Sequence, residues 1–190
     1  MQELYDYLSN KVLLSSDAKD YLKTISSVKA FRKRKVLIKQ DQIVNKIYFV
    51  IDGCLRSFIY DRDGKEHTLR FAVKNWWISD FIAIYFQQKS SQIVECIKDS
   101  RLVEFDVQSL DKFMLLYPEF GDFHRRNMER HIASLHSRIL NQLQLSSKEQ
   151  YKLFVEQHPD IEKHALNYHI ASYLGITQQS LSRIRAAINN

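Results

Sequence analysis

From Ile170 to Arg185 the chain reads Ile-Ala-Ser-Tyr-Leu-Gly-Ile-Thr-Gln-Gln-Ser-Leu-Ser-Arg-Ile-Arg, a stretch that admits few folds. Ala171 is small, as a close crossing of two helices requires. Gly175 follows four residues later, where a chain leaving a helix adopts a left-handed backbone at least cost. Thr177 is placed to cap a second helix by accepting from the backbone N–H of Ser180. Ile170, Leu174, Ile176, Leu181 and Ile184 are expected to bury one side, leaving Gln178, Gln179, Ser180, Ser182 and Arg183 outside. This is the spacing of a helix-turn-helix whose second helix enters the major groove of DNA. An ordinary helical hairpin with a polar outer face has the same periodicity, so the outer residues have to decide. They carry amides and a guanidinium, groups able to bond base edges in two-pronged fashion, where a merely soluble face favours Glu and Lys. From Lys163 onward there are three Lys/Arg and no Asp or Glu to repel phosphate.

The net charge of +6 suits a nucleic-acid partner without demonstrating one. It is spread along the chain, +4 before residue 119 and +2 after it. At 190 residues the chain can form one large domain or two small ones, each with a real core. Cys54 and Cys96 are far apart and lack metal-type spacing, which suits two free thiols in a reducing compartment. The N-terminus lacks the pattern of a signal peptide, and Asp80 interrupts the most apolar run, Trp76 to Phe86. A cytoplasmic protein without membrane contact is expected.

Along the chain, the first thirty residues read as helical, with Leu4, Leu8 and Val12 at helical spacing and a cap at Ser15-Ser16-Asp17. From Phe31 to Phe105 short β-branched and aromatic pieces take over. Val36–Ile38, Lys46–Ile51, Cys54–Tyr60, Thr68–Val73, Ile93–Ile97 and Arg101–Phe105 read as strands. Asp52-Gly53 and Asp61-Arg62-Asp63-Gly64 supply turns. Such a series suggests an antiparallel roll of the jelly-roll kind. A helix over Ser109–Leu116 is expected to stop at Pro118. A long helix should run from about Gly121 to Leu145, with Met128, Ile132, Leu135, Ile139 and Leu143 forming one apolar seam. The seam can pair with its twin in a second chain or lie on its own roll; the charges around it (Arg125, Arg126, Glu129, Arg130, Arg138) favour the dimer. A capped helix from Ser146-Ser147-Lys148-Glu149 leads to His158-Pro159-Asp160 and the terminal motif.

This order resembles the Crp/Fnr family of bacterial transcription regulators over nearly the whole length. Ile170–Arg185 carries the likeness first. Ile47-Tyr48-Phe49-Val50-Ile51-Asp52-Gly53-Cys54-Leu55-Arg56, followed by Asp61-Arg62-Asp63-Gly64-Lys65-Glu66, carries it second. The C-terminal segment from Ser147 is similar to the Bacteroidetes branch. The resemblance implies an α+β chain: residues 1–118 as a cyclic-nucleotide-binding-like β-roll, 119–145 as a dimerisation helix, and 146–190 as a helix-turn-helix domain. It also implies a homodimer on a palindromic double-stranded operator, with RNA polymerase as a further partner. By that likeness Gln178, Gln179 and Arg183 read bases, Ser182 lies on the same face, and Thr177, Ser180 and Arg185 meet phosphates. The effector pocket would involve Trp77, Ser79, Asp80, Lys89, Ser90 and Ser91.

Nucleotide-binding members hold the ligand with a Gly-Glu pair and a later Arg. Here Ser79-Asp80 stands at the first place, and no arginine occurs between Arg70 and Arg101. Cyclic AMP is therefore not expected to bind in the usual way. The roll either takes another small molecule or serves as a dimer scaffold. Two cysteines cannot hold an iron–sulfur cluster, and the lone roll histidine, His67, argues against haem, so no cofactor is expected. The aromatic group Trp76, Trp77, Phe81, Tyr85 and Phe86 reads as roll core, with a cavity lining as the alternative. A cupin-type metalloenzyme needs several roll histidines, so no catalytic residue or metal ligand is assigned. A regulator acting through a protein partner, with its reading helix idle, remains the rival within the binding class.

Overall fold

The computed structural model describes residues 1–189. Two N-terminal helices, α1 (Gln2–Ser9) and α2 (Ser16–Thr24), precede eight strands: β1 (Ser26–Phe31), β2 (Val36–Ile38), β3 (Lys46–Asp52), β4 (Cys54–Tyr60), β5 (Glu66–Val73), β6 (Trp77–Ile78), β7 (Ile93–Cys96) and β8 (Ser100–Asp106). A short helix α3 (Phe81–Tyr85) lies between β6 and β7. Helices α4 (Val107–Leu116), α5 (Pro118–Gln144), α6 (Ser147–Gln157), α7 (Pro159–His164), α8 (Asn167–Leu174) and α9 (Gln178–Asn189) complete the chain.

The strands form two antiparallel sheets, ordered β1-β8-β3-β6 and β2-β7-β4-β5. Both are covered on both faces along their central strands, which explains the apolar run Ile47–Ile51 of β3 and the burial of Cys54–Phe58 in β4. Successive side chains of a strand point to opposite faces. Tyr48 and Val50 of β3 therefore meet Leu55, Ala72 and Val94 inside the roll. Ile47, Phe49 and Ile51 pack outward against Leu4, Leu22, Phe113 and Phe120 of the flanking helices. Cys54 and Phe71, on the outer face of the second sheet, join Phe154, Ile170, Ala171, Leu174 and Leu181 of the C-terminal helices in one continuous core. Gly53 turns the β3–β4 hairpin at φ +121°, and a Cβ there would stand 2.1 Å from Ser100 Oγ.

The departures from the sequence-based expectations have local causes. Helix α2 ends at Thr24, and Ser26–Phe31 is a strand paired residue for residue with β8, from Ser26 opposite Phe105 to Phe31 opposite Ser100. Four of its six side chains are exposed, so no alternation marks it; the free edge of β8 makes it a strand. Pro118 opens α5 as well as closing α4, because the first helical position needs no N–H. Beyond His158 a further short helix, α7, precedes the terminal motif.

Candidate nucleic-acid interface and effector cavity

Helices α8 and α9 form the turn that the spacing of Ala171, Gly175 and Thr177 suggests. Gly175 sits at φ +71°, and the N–H of Ile176 donates back to the Ala171 carbonyl at 2.9 Å, closing α8. Thr177 Oγ1 accepts from the Ser180 N–H at 3.1 Å, opening α9. Ala171 and Leu181 are buried where the helices cross. Thr177, Gln178, Gln179, Ser182 and Arg183 are exposed, while Ser180 is half-buried with its hydroxyl 3.0 Å from Thr177 Oγ1.

Arg185, expected to meet phosphate, bonds within the C-terminal helices. Its Nε donates to Tyr151 Oη at 2.9 Å, Nη2 to Glu162 Oε1 at 2.8 Å, and Nη1 to Asn167 Oδ1. The guanidinium thus ties α9 to α6, α7 and α8. Three acceptors converge on it from elements that the linear sequence separates.

The C-terminal helices are fixed to the roll. β5 is the edge of its sheet, and an edge strand presents unpaired backbone groups. Ser172 of α8 satisfies two of them: its Oγ accepts from the Thr68 N–H at 2.8 Å and donates to the Glu66 carbonyl at 3.0 Å. Beside this contact Arg56 is 2% exposed, paired with Glu66 at 2.5 Å and Glu95 at 2.6 Å, and stacked over the Phe58 ring at 4.0 Å. His169 is buried nearby. Burial, reinforced by Arg56 and Lys33, holds its imidazole down at a pKa of about 3.

In the roll, the six residues expected around an effector fall in different places. Asp80 is fully buried and caps α3: Oδ1 accepts from the N–H groups of Ile82 and Ala83 and from Gln92 Nε2, each at 3.1 Å, and Oδ2 from Ser90 Oγ at 2.7 Å. Both oxygens accept within the roll, so Asp80 and Ser90 tie the start of α3 to the Gln92 loop. Lys89 and Ser91 face solvent. Trp77 lies in the outer core against Phe49 and Phe105. Ser79 lines the cavity between the roll, α3 and α5, with its hydroxyl donated to the Lys46 carbonyl at 2.7 Å.

That cavity has a volume of about 620 Å³ and lies between the roll, α3 and α5. Phe81, Tyr85 and Phe86 line it, so the aromatic group divides between cavity wall and, through Trp77, core; Trp76 is partly exposed against His158. Its polar groups include Ser57 and Arg70, direct cross-strand partners on β4 and β5. His124 and His131 of α5 face it as well. Burial depresses both imidazoles, His131 to about 4 with Arg70 and Arg138 adding repulsion. Arg70 and Arg138 escaped the sequence reading, which sought a cation after residue 70. The signal was Arg70 itself, a charge set between apolar neighbours in Thr68-Leu69-Arg70-Phe71-Ala72.

The expected α5 seam is two-sided. Met128 and Leu135 are half-buried and line the cavity, along with Ile132. Ile132, Ile139, Leu140 and Leu143 are 49–78% exposed. Exposed Ile82, Tyr85 and Phe86 of the α3 region adjoin the same side. Among the described residues, no three His, Cys, Asp or Glu side chains are grouped to hold a metal ion, and no helix is long and apolar enough to cross a membrane.

Residues 28–117 match the family model of the cyclic nucleotide-binding domain. No curated protein sequence matches the chain. Several solved structures share its architecture over most of both chains. FixK2 from Bradyrhizobium japonicum is 16% identical, with a TM-score of 0.73 over 87% of this chain and 85% of FixK2. A Crp/Fnr-family transcriptional regulator from Eubacterium rectale, also 16% identical, gives 0.72 over 93% and 84%. The c-di-GMP-responsive global regulator CLP of Xanthomonas campestris, 11% identical, gives 0.71 over 92% of each. Residues 28–117 thus resemble a cyclic nucleotide-binding domain, and the whole chain shares the fold of these solved transcriptional regulators.

Proposed function

We propose that this chain is a homodimeric, sequence-specific DNA-binding transcription regulator. The observation that carries the reading is the outer face of α9. Gln178, Gln179, Ser182 and Arg183 stand exposed at the start of a capped helix that has no acidic residue. Arg183 is suited to guanine O6/N7 and a glutamine to adenine N6/N7, while Thr177 and Ser180 sit where a phosphate passes the helix N-terminus. The exposed stripe Ile132–Leu143 of α5 gives a second copy an apolar surface to cover. Such pairing would set two reading helices about 34 Å apart, one turn of DNA. Residues 1–118 then act as sensor, 119–145 as dimer helix and 146–190 as reading head. An effector in the roll would act by biasing how the paired α5 helices and the docked heads sit. The occupied carboxylate of Asp80 supports an effector other than cyclic AMP bound in the usual way.

The test is selection from a random duplex pool near physiological salt, with and without cyclic AMP. An enriched two-fold palindrome, bound with steep salt dependence, is the expected result. No enrichment in either arm would remove the sequence-reading role and favour a regulator that acts through a protein partner.

A further inference from the structure

Buried polar atoms nearly always find a partner, so a cluster of orphans points to something that completes them. Several of the unpartnered buried atoms in this protein belong to residues around one cavity: Ser57 Oγ, Arg70 Nε and Nη1, His124 Nδ1 and Arg138 Nε. Arg70 Nη2 donates to the Trp77 carbonyl at 2.8 Å, and Arg138 Nη1 to the Leu69 carbonyl at 2.5 Å. Neither guanidinium takes part in an ion pair among the described residues, whereas buried Arg56 has two carboxylates. Burial disfavours the charge on Arg70, lowering its pKa to about 10, yet it stays protonated at neutral pH. An uncompensated buried charge is costly.

Most of the remaining wall is apolar, with Ile47, Leu69, Phe81, Ile84, Met128 and Leu135, and His124 and His131 stand on its α5 side. Ser57 and Arg70 face each other across the β4–β5 ladder on the inner face of the roll, with side-chain origins about 5 Å apart. They form a donor pair at one side of an otherwise greasy chamber. Asp111 is the one carboxylate lining the cavity. The carboxylate of Asp80 behind it already accepts four hydrogen bonds, and burial raises the pKa of Asp111, disfavouring its charge.

We propose that this cavity is the receptor for a small apolar monocarboxylic acid, its carboxylate accepting from Arg70 and the Ser57 hydroxyl while its hydrocarbon body lies against α5. Since α5 supplies Met128, Ile132 and Leu135 to the wall, the occupant touches the helix whose outer stripe is exposed for pairing. The proposal deepens the effector half of the function above and rests on that reading only for its regulatory consequence. Binding is measured without DNA, so a failed operator selection and a failed ligand are separate results.

The experiment is calorimetric titration of the full chain with octanoate, with 1-octanol as its uncharged isostere, and with cyclic AMP. Octanoate is expected to bind one equivalent per chain and more tightly than 1-octanol. Arg70→Gln should weaken octanoate by about tenfold or more, the loss of a charge-assisted hydrogen bond, and leave 1-octanol unchanged. Met128→Trp, which fills the chamber without touching Arg70, should weaken both ligands. Circular dichroism confirms that each variant is folded. Octanoate that binds no better than 1-octanol, octanoate binding unaffected by Arg70→Gln, absence of octanoate binding, or cyclic AMP held more tightly through Arg70 would each overturn the proposal.

Discussion

The hydroxyl of Ser172 stands 2.8 Å from the backbone nitrogen of Thr68, across 104 residues of sequence, and completes the edge of a strand with a side chain from α8. It also donates to the Glu66 carbonyl. Ser172→Ala would leave two edge groups at this part-buried contact without their partner. The expected loss is about 1–3 kcal/mol of stability in urea unfolding. Amide exchange at Thr68 should accelerate, whereas an unchanged exchange rate would mean the contact does not hold the head.

Arg183 and Arg185 are two residues apart and should behave oppositely. Arg183→Ala is expected to relax preference at one base pair of each half-site, at about 1–3 kcal/mol per contact. Arg185→Ala should lower thermal stability and weaken all sequences alike, because its guanidinium holds Tyr151, Glu162 and Asn167 together. Binding-site selection on both variants, with melting curves, separates the roles. Uniform weakening by Arg183→Ala would place it on phosphate.

On the proposed reading, the exposed α5 stripe is the surface on which two copies pair. Replacing Ile139 and Leu143 by Asp puts like charges on the face where a second copy would pack. Sedimentation should then give a monomer that keeps its circular dichroism and loses palindrome affinity. A variant that remains dimeric would place the interface elsewhere.

Stability should fall in mild acid. The depressed pKa of His169 means that the unfolded chain, near the ordinary 6.5, takes up a proton that the folded chain refuses until about pH 3. Its contribution is complete above pH 6.5 and is lost as pH falls toward 3. At pH 5 the loss is about 2 kcal/mol from this residue. His131, depressed to about 4, adds a change of the same sign. Urea midpoints at pH 7.5 and 5 measure it, and a His169→Leu variant that folds should show a shallower slope.

The two thiols should be inert in the native state. Burial raises Cys54 to about 12 and Cys96 to about 11. Cys54 faces the C-terminal helices and Cys96 the roll interior, so the β4–β7 ladder lies between their side chains. A thiol reagent should titrate neither before denaturation and both afterward.

Much of the architecture was legible because its causes are local. Ser15, Ser146 and Thr177 cap the helices whose starts they mark. The hairpin at Gly53 and the αL turn at Gly175 need a backbone that glycine adopts readily. Strand β1 was not legible, since Ser26–Phe31 has no alternation and is held by its partner. The roll residues were misplaced for a related reason. Ser79-Asp80 and Ser90-Ser91 occupy the resembling positions, but Gln92 and the start of α3 consume the Asp80 carboxylate. The cations arrive instead from β5 and α5.

Local preferences along the chain fixed most of the helices and strands, the turn between α8 and α9, and the exposure of Gln178, Gln179, Ser182 and Arg183 on α9. Periodicity, capping and backbone preference act over a few residues and can be read from them. Tertiary structure decided where the polar groups spend their hydrogen bonds. It engaged Arg185 within the head and seated Ser172 on a strand edge. It also left Arg70 and Ser57 unpaired in an apolar chamber. A buried donor is satisfied or stranded by whichever acceptors the packing brings within about 3 Å, and those come from elements far away along the chain.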